Sequence, residues 1–376
     1  MSNQEQVERL HILHIASGDL WAGAEAQIET LLSTLQVQSN VSVSAILLNF
    51  GELERRLISH GIDTVVFDET RYATPRLLQL TLDHIKALGP DIIHTHRQKE
   101  DVIGAIANFL CLKVPMIRTV HGANEHQRRG LRRRLIQIAD RMTAHLVPTT
   151  LVAVSADMER MLAARFRTLP LVTIPNGVDV DRIRSAQVTP SEFAEEHDAV
   201  HVAFLGRLEP VKRVDIFLES ASNLLSRHLE YDWRFHIFGD GALRKDLEQR
   251  AQDLGITPAT TFHGHDPSAA HYLGSLNCVV LCSDHEGLPM ILLEALAVGT
   301  PVVGHAVGGI AEVIDGTNGQ LVDRQEPDAY AQAIVETVER NMNKGQLPRP
   351  RLISERWSSK ANAAAYLRLY ISATTP

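Results

Sequence analysis

Short apolar segments alternate with stretches of helical periodicity along nearly the whole chain, and this alternation constrains the fold more than any other feature. Thirteen apolar segments are predicted to be strands, near residues 11–15, 41–48, 64–67, 91–94, 116–120, 151–154, 172–174, 201–205, 234–238, 260–262, 278–281, 301–303 and 319–322. Helical stretches lie between them, as at residues 24–35 and 101–112. Such alternation is typical of parallel sheets covered by helices on both faces. The fold class is therefore predicted to be α/β.

The periodicity stops near residues 181–199, and this interruption predicts two domains. The segment 187–198 is polar and acidic, as expected for a linker. A chain of 376 residues is also about twice the length of an average domain. We predict two Rossmann-like, doubly wound domains facing each other across a cleft, an N-terminal domain at residues 1–185 and a C-terminal domain at 198–356.

Composition excludes several classes of protein. The 45 acidic and 37 basic residues give a net charge of −8, which argues against a protein that holds nucleic acid by overall positive charge. No apolar run approaches the ~20 residues of a membrane span, and the first residues lack a secretory signal, so we expect a cytoplasmic protein. The cysteines Cys111, Cys278 and Cys282 do not suggest disulfides or a metal site.

Chemically versatile residues follow several predicted strands, where open α/β sheets bind ligands. Gly23 lies in a glycine-containing loop after the first strand, and His121 directly follows the strand at residues 116–120. His94 and His96, one residue apart, could face opposite sides of a strand end. The chain contains neither Gly-x-Gly-x-x-Gly nor a P-loop, so a dinucleotide oxidoreductase and a P-loop nucleotidase lose their support.

The second half carries a candidate anion site. Arg207 and Lys212 lie in one loop and helix start, and these two cations suit a diphosphate, although two solvated surface cations would look the same. Further along, Glu286 precedes a helix that contains Glu294. We predict that Glu286 accepts hydrogen bonds from sugar hydroxyls, while Glu294 binds a ribose diol or forms a salt bridge to the scaffold.

Together these pieces resemble the retaining glycosyltransferases of the GT-B fold, family GT4 (glycosyl transferases group 1). The motifs lie in order over residues 152–322, and they are Asn176-Gly177-Val178-Asp179, Gly206-Arg207-Leu208 with Lys212, Glu286-x7-Glu294, Gly299-Thr300-Pro301-Val302-Val303 and Gly308-Gly309-Ile310-Ala311-Glu312. The resemblance implies a GT-B architecture and transfer from a nucleotide-diphosphate sugar, with no cofactor and no metal. It also implies that a final helix, at about residues 357–376, returns to the N-terminal domain.

The resemblance further implies roles for individual residues. The predicted catalytic residues are His121, by the anomeric centre, Arg207 and Lys212, on the diphosphate, and Glu286, on the transferred sugar. The predicted donor-binding residues are Gly23, Gly206, Arg207, Lys212, Gly239, His263, Glu286, Gly287, Leu288, Pro289 and Glu294. The resemblance leaves the base of the donor open among UDP-, GDP- and ADP-sugars, and it does not identify the acceptor.

A basic run on this acidic chain points to a further partner. Five arginines lie within seven positions, and they are Arg128, Arg129, Arg132, Arg133 and Arg134. An anionic membrane surface or a lipid-phosphate acceptor would attract such a run, by roughly 1 kcal/mol per basic residue. A solvated helix face or the acidic patch of a protein partner is the alternative. We predict association with the inner face of the plasma membrane.

Two other functions fit the same pattern. A GT-B sugar-nucleotide 2-epimerase shares the architecture but needs no acceptor, and a catalytically silent nucleotide-sugar-binding subunit needs no turnover. The intact Glu-x7-Glu motif and the joint presence of Arg207, Lys212, Glu286 and His121 favour an active transferase. The resemblance implies that it acts in cell-envelope polysaccharide or lipopolysaccharide synthesis, with a glycan or lipid-linked acceptor.

Overall fold

The computed structural model describes residues 9–18, 21–122, 138–196, 198–344 and 355–375. The chain divides into two compact units. The N-terminal unit contains residues 1–177 and 359–376, and the C-terminal unit contains residues 178–358. The division thus falls after Gly177 rather than at the predicted limit of 185.

The N-terminal unit is built on a seven-stranded parallel sheet in the order β3-β2-β1-β4-β5-β6-β7. Its strands are β1 (Leu10–Ala16), β2 (Val41–Leu47), β3 (Asp63–Val66), β4 (Ile92–Thr95), β5 (Met116–Val120), β6 (Thr149–Ala153) and β7 (Leu171–Thr173). Its helices are α1 (Gly23–Gln36), α2 (Glu52–Ser59), α3 (Thr74–Leu88), α4 (Gln98–Leu110) and α5 (Ala156–Arg165), together with the last helix of the chain. The strand order reverses between β1 and β4, as in doubly wound sheets.

The C-terminal unit contains a six-stranded parallel sheet in the order β10-β9-β8-β11-β12-β13. The strands are β8 (Val200–Leu205), β9 (Trp233–Phe238), β10 (Thr260–Gly264), β11 (Cys278–Leu281), β12 (Val302–His305) and β13 (Gly319–Val322). The helices are α6 (Val180–Ser185), α7 (Ser191–Glu195), α8 (Val214–Arg227), α9 (Arg244–Asp253), α10 (Met290–Val298), α11 (Ile310–Val313) and α12 (Pro327–Lys344). Here the order reverses between β8 and β11.

The last helix, α13 (Ser359–Thr374), packs in the N-terminal unit. Its Tyr366 and Tyr370 are buried in the core formed by β1, β2, β4 and α1. Asn362 on the same helix accepts a hydrogen bond from Gln27 on α1, at 3.0 Å. The C-terminal end of the chain therefore closes one face of the first sheet.

The strands have nearly continuous apolar sequences because helices cover both faces of each sheet, so side chains on both faces are buried. Val279 and Val280 in β11 and Ile12 and Leu13 in β1 are fully buried, and each such side chain contributes roughly 1.5–3 kcal/mol to folding. Burial raises the pKa of the Cys278 thiol to about 12, as expected for a core cysteine rather than a reactive thiol.

The predicted α/β fold class is confirmed, and each predicted strand coincides with an observed one to within about two residues. The segment predicted as the linker, residues 187–198, instead lies within the C-terminal unit and contains the short helix α7, and α6 precedes it. Asp179 caps α6 by accepting a hydrogen bond from the Arg182 amide, at 3.0 Å. Both helices are too short to show a clear helical period. Among the described residues, no helix is long and apolar enough to cross a membrane.

Candidate active site

The motif residues of the C-terminal unit lie in loops that follow β8, β9, β11 and β12. All of these strands are parallel, so their carboxyl ends meet at one edge of the sheet. Gly206 follows β8, Gly239 follows β9, Glu286 follows β11 and Gly308 follows β12. The loops after β8 and β11 flank the point at which the strand order reverses, which is the usual ligand site of an open α/β sheet.

Two of these loops are held together by backbone contacts. The Gly206 amide donates to the Phe238 carbonyl at 2.9 Å, and the Leu208 amide donates to the Asp240 carbonyl at 2.9 Å. At Gly239, with φ of 147°, a Cβ atom would lie only 1.8 Å from the Gly206 carbonyl oxygen. Any side chain at Gly239 would therefore push the two loops apart.

Lys212 and Glu286, which the sequence assigned to different parts of a ligand, contact each other. The Lys212 ammonium lies 2.7 Å from a Glu286 carboxylate oxygen, and the two side chains are only 16% and 10% exposed. Ser283 donates a hydrogen bond to the same carboxylate oxygen at 2.6 Å. An ammonium carries three N–H donors, so Lys212 keeps donors for an anion while Glu286 holds it in place.

The glycines after β12 bring a second loop onto Glu286. Gly308 has a left-handed φ of 50°, and a Cβ atom there would lie 1.9 Å from the Glu286 carbonyl oxygen. The Gly309 amide donates to the Gly287 carbonyl at 2.6 Å. The Glu286–Gly287 turn is therefore fixed by backbone that only glycine allows.

Helix α10 begins directly after this turn. Its N-cap is Pro289, and the Leu288 side chain is buried. The free amides at such a helix start favour anions. Glu294, on the second turn of α10, is half-buried. Both Glu294 and Arg207 already interact with other groups of the protein.

Three residues at this edge, Arg213, Ser283 and His305, were not predicted from the sequence. Arg213 adopts an unusual left-handed φ of 50° and contacts Asp215 at 3.0 Å and Asp284 at 3.4 Å. His305 donates from Nδ1 to the Ser283 carbonyl at 2.9 Å. Arg213 directly follows Lys212, and His305 holds Ser283, which in turn donates to Glu286, so these residues support the Lys212–Glu286 pair. A positive φ at an arginine has no sequence signal, and a histidine at the end of a strand is too common to single out.

His263 ends a row of three histidines that crosses β8, β9 and β10. His201 Nδ1 lies 2.9 Å from His236 Nε2, and His236 Nδ1 lies 3.0 Å from His263 Nε2. The His263 ring stacks on Phe238 with the ring centroids 4.2 Å apart. His263 thus lies near the carboxyl end of β10, beside Gly264, whose carbonyl accepts a hydrogen bond from the Gly239 amide at 2.7 Å.

The N-terminal unit has its own cluster at the carboxyl edge, around His121. His121 Nε2 lies 3.1 Å from His96 Nδ1, and His96 Nε2 lies 3.0 Å from His14 Nδ1. The expectation that His94 and His96 could face opposite sides was wrong, because their ring centroids are 4.2 Å apart. Residues two apart in a strand point to the same face. Burial lowers the pKa of both His14 and His121 to about 3, so these rings are neutral at pH 7.

Charged side chains lie beside this cluster. Gly23 begins α1, and two residues later Glu25 is fully buried and paired with Arg97. Ser17, at the end of β1, donates to the buried carboxyl of Glu100, and burial raises the pKa of that carboxyl. The basic run at residues 128–134 lies outside the described residues.

Comparison with known proteins identifies the family. A family described as glycosyl transferases group 1 matches residues 199–340, and one described as glycosyltransferase family 4 matches residues 21–182. A D-inositol 3-phosphate glycosyltransferase of Geodermatophilus obscurus is 31% identical over 65% of this chain and 58% of that protein. The UDP-Gal:alpha-D-GlcNAc-diphosphoundecaprenol alpha-1,3-galactosyltransferase of Escherichia coli is 27% identical over 65% of each chain. These matches span less than two thirds of the relatives' lengths.

Solved structures confirm the fold. The crystal structure of Anabaena HepE in complex with UDP and glucose superposes with a TM-score of 0.80 at 20% identity, over 97% of this chain and 100% of that one. The galactosyltransferase WaaB of the lipopolysaccharide outer core superposes with a TM-score of 0.67 at 16% identity, over 96% of this chain and 99% of that one. The chain belongs to the GT4-like glycosyltransferases of the GT-B fold.

Proposed function

We propose that the protein transfers a sugar from a nucleotide-diphosphate sugar to a glycan or lipid-linked acceptor, with retention of anomeric configuration and without a metal ion. The observation that carries this proposal is the Lys212–Glu286 pair, at 2.7 Å, inside a turn that glycines fix at the carboxyl edge of the C-terminal sheet. Such a site combines a cation for a leaving diphosphate with a carboxylate for sugar hydroxyls.

The leaving group explains why cations are needed. A nucleoside diphosphate gains negative charge as the bond to the sugar breaks, and fixed positive groups stabilise that charge where it develops. In this proposal Lys212 and Arg207 contact the diphosphate, and the amides that begin α10 add further donors. Because Glu286 already holds Lys212, the ammonium needs little reorganisation when the donor binds.

The transferred sugar is neutral and needs hydrogen bonds rather than charge. The Glu286 carboxylate accepts hydrogen bonds only, so it suits sugar hydroxyls, and Glu294 suits the hydroxyls of the nucleoside ribose. His121 is proposed to contact the transferred sugar from the N-terminal unit. As a neutral imidazole it offers one N–H donor and one acceptor to an uncharged partner.

The names of related proteins suggest which donors to try first. HepE is described in complex with UDP and with UDP-glucose, and the Escherichia coli relative is named for a UDP-Gal donor. That relative is also named for a diphosphoundecaprenol acceptor, and WaaB for the lipopolysaccharide core. We therefore propose a UDP-hexose donor and a role in cell-envelope glycan synthesis.

The proposal is tested with purified protein and a panel of UDP-, GDP- and ADP-sugars, measuring nucleoside diphosphate release with and without candidate glycan and lipid-linked acceptors. We expect one donor class to stabilise the protein thermally and acceptor-dependent release that persists in EDTA. The proton NMR coupling at the new anomeric centre should show the configuration of the donor. Conversion of the nucleotide sugar to its 2-epimer in the absence of acceptor would favour the epimerase, and neither release nor epimerisation with any donor would favour the silent subunit.

The arginine run is proposed to bind an anionic membrane surface, which supports a lipid-linked acceptor. Cosedimentation with phosphatidylglycerol vesicles should fall when Arg128, Arg129 and Arg132 are replaced by glutamine, and binding to phosphatidylcholine vesicles should be weak for both proteins. Equal cosedimentation of the two proteins with the anionic vesicles would contradict this part of the proposal.

A further inference from the structure

Three histidines form a hydrogen-bonded row across three neighbouring strands of the N-terminal sheet. His14 lies in β1, His96 follows β4 and His121 follows β5, and these strands are adjacent. The two nitrogen–nitrogen distances are 3.0 and 3.1 Å, and successive rings are tilted by only 14° and 23°. Each contact therefore has the geometry of an in-plane N–H to nitrogen hydrogen bond.

A second layer of side chains holds the middle of this row in place. The His94 ring lies 4.2 Å from the His96 ring and 4.7 Å from the His14 ring, between ring centroids. Tyr370 and Thr119 contact the two nitrogens of His94 at 2.7 and 2.8 Å. The row thus packs against His94, whose two ring nitrogens are both hydrogen-bonded, to Thr119 of β5 and Tyr370 of the last helix.

Neutral rings in such a row must share one orientation. Each neutral imidazole carries a single N–H, so His96 can donate to only one neighbour and must accept from the other. If His96 donates to His121, then His121 Nε2 is an acceptor and its proton is on Nδ1. If His96 donates to His14, the proton of His121 is on Nε2 and that of His14 is on Nε2 as well.

The two ends of the row decide between these orientations. His14 Nε2 and His121 Nδ1 are both buried, and neither has a hydrogen-bond partner among the described residues. His14 as a whole is completely buried, whereas His121 is half-buried at the end of its strand. A buried N–H without an acceptor is costly. His121 follows β5 at the edge of the sheet, where a ligand can accept from its N–H once the atoms that cover Nδ1 move aside, whereas His14 Nε2 lies inside the sheet and cannot gain an acceptor.

We propose that His14 and His96 are positioning residues that hold His121 as the Nδ1–H tautomer, so that His121 presents a hydrogen-bond donor to its ligand. The ligand class follows from this donor, and it is a neutral oxygen acceptor such as a sugar hydroxyl or ring oxygen. This last assignment rests on the proposed function. The row itself does not, because it follows from the hydrogen bonds alone.

A metal ion is the competing explanation for the same cluster. His14, His94 and His96 each offer one ring nitrogen, and these three nitrogens lie within 4.8 Å of one another. Five of the six ring nitrogens of these histidines already contact a hydrogen-bond partner. Both nitrogens of His94 contact Tyr370 and Thr119, and both nitrogens of His96 contact His121 and His14 Nδ1. A metal would have to break several of these bonds, so the hydrogen-bonded row is favoured.

The test uses the full-length protein labelled with ¹⁵N-histidine, and the signal of His121 is assigned by its loss in His121→Gln. Long-range proton–nitrogen spectra distinguish the two neutral tautomers. We expect His121 as Nδ1–H in the wild type and as a mixture in His96→Phe, which keeps a flat ring but removes both hydrogen bonds. His96→Gln should restore the Nδ1–H form, because its carbonyl accepts from His14 and its amide donates to His121.

Turnover gives the second readout. We expect kcat to fall about tenfold in His96→Phe with less than a threefold change in the donor KM, and to recover to within about threefold in His96→Gln. His84→Phe on α3 is the matched control, because it makes the same change at a partly buried histidine outside the row. Its His121 tautomer and kcat should equal those of the wild type.

Specific outcomes overturn the inference. His121 as Nε2–H in the wild type, an unchanged tautomer in His96→Phe, or one equivalent of tightly bound zinc that shifts the signals of His14, His94 and His96 would each do so. If the protein turns over no nucleotide sugar, the proposed function is contradicted, while the spectra still show whether His14 and His96 set the tautomer of His121. If turnover occurs with the wrong tautomer, only the row fails.

Discussion

The two sheets place opposite kinds of chemistry at equivalent edges. At the C-terminal sheet the edge is ionic, with the Lys212–Glu286 pair and neighbouring cations on loops fixed by glycines. At the N-terminal sheet His14 in β1 and His121 after β5 are imidazoles that burial keeps neutral at pH 7. The same topology therefore supports a site for a charged group in one unit and a site for an uncharged group in the other.

Under the proposed function, this difference matches the two chemical needs of a sugar transfer. A leaving diphosphate needs preorganised positive charge, and a cation half-buried against a carboxylate supplies it. A sugar needs directed hydrogen bonds, and buried neutral histidines supply these without attracting the diphosphate. Both units also contain a row of three histidines, but the C-terminal row ends on the Glu196 carbonyl, 3.3 Å from His201 Nε2, whereas the N-terminal row ends in buried nitrogens that have no partner in the described part of the chain.

The largest expected effect comes from removing the charge of the ionic edge. Lys212→Ala should lower kcat/KM by about 10²–10³, because it removes a donor aimed at developing charge and leaves Glu286 unpaired. Steady-state kinetics with the preferred donor measure this loss. Lys245→Ala, an exposed lysine on α9, is the control and should stay within twofold of the wild type. A Lys212→Ala enzyme that also stays within twofold would remove the basis for an ionic site.

The backbone contact beneath Glu286 should have the next largest effect. Gly308→Ala places a methyl group against the Glu286 carbonyl oxygen and strains a positive φ, so we expect the free energy of unfolding to fall by about 3 kcal/mol or more. Gly316→Ala is the matched control, because its φ of 81° is also positive but nothing lies within 4 Å of the new methyl. Gly316→Ala should lower the free energy of unfolding by about 1–2 kcal/mol. Equal losses in urea unfolding would mean that the close contact carries no energy.

The support beneath the neutral edge should have a smaller effect. Tyr370→Phe removes the hydroxyl that contacts His94 Nδ1 at 2.7 Å and leaves a buried nitrogen unpaired. The expected loss in free energy of unfolding is about 1–3 kcal/mol, measured by urea denaturation. Tyr72→Phe, at an exposed tyrosine, should change the same quantity by less than about 0.5 kcal/mol. A Tyr370→Phe protein as stable as the wild type would show that the bond to His94 contributes nothing.

The smallest effect concerns pH. Burial lowers the pKa of His14 to about 3, so between pH 6.5 and 3 the unfolded chain binds a proton that the folded protein does not. Acidification from pH 6.5 to 5 should therefore destabilise the protein, by up to about 1.4 kcal/mol per pH unit for this histidine. Asp101 offsets about one such histidine over this range, because burial raises the pKa of its carboxyl to about 7 and the folded state then binds the extra proton. Burial also lowers the pKa of His121 and His236 to about 3, so acidification is still expected to destabilise the protein.

The pH prediction is checked by urea unfolding at several pH values. His14→Gln should have a shallower dependence on pH than the wild type, while His145→Gln, at an exposed histidine of the same unit, should have the same dependence. Identical slopes for all three proteins would show that His14 is not held neutral by burial.

The fold and the ionic edge could largely be predicted from sequence. Apolar runs mark buried parallel strands, and the residues that follow them, such as Gly206 and Glu286, must meet at one edge of the sheet. The pairing of Lys212 with Glu286 could not be predicted, because the two are 74 positions apart and each suits a ligand equally well.

The neutral edge was harder to predict for a different reason. His14 lies within a strand whose apolar neighbours suggest only a core, and its contact with His96 depends on the register of β1 against β4. Tyr370 reaches His94 across 276 positions, from a helix whose destination the residues themselves do not show. Side-chain rows across strands depend on register and on long-range packing, and neither is encoded in local spacing.

The division between the two edges is tested most directly by calorimetric binding of UDP, without sugar, to the wild type, Lys212→Ala and His121→Gln. We expect Lys212→Ala to weaken UDP binding at least about tenfold, and His121→Gln to bind UDP as the wild type does but to have a reduced kcat with the sugar donor. Unchanged UDP binding in Lys212→Ala, or an equal loss of UDP binding in His121→Gln, would contradict this expectation.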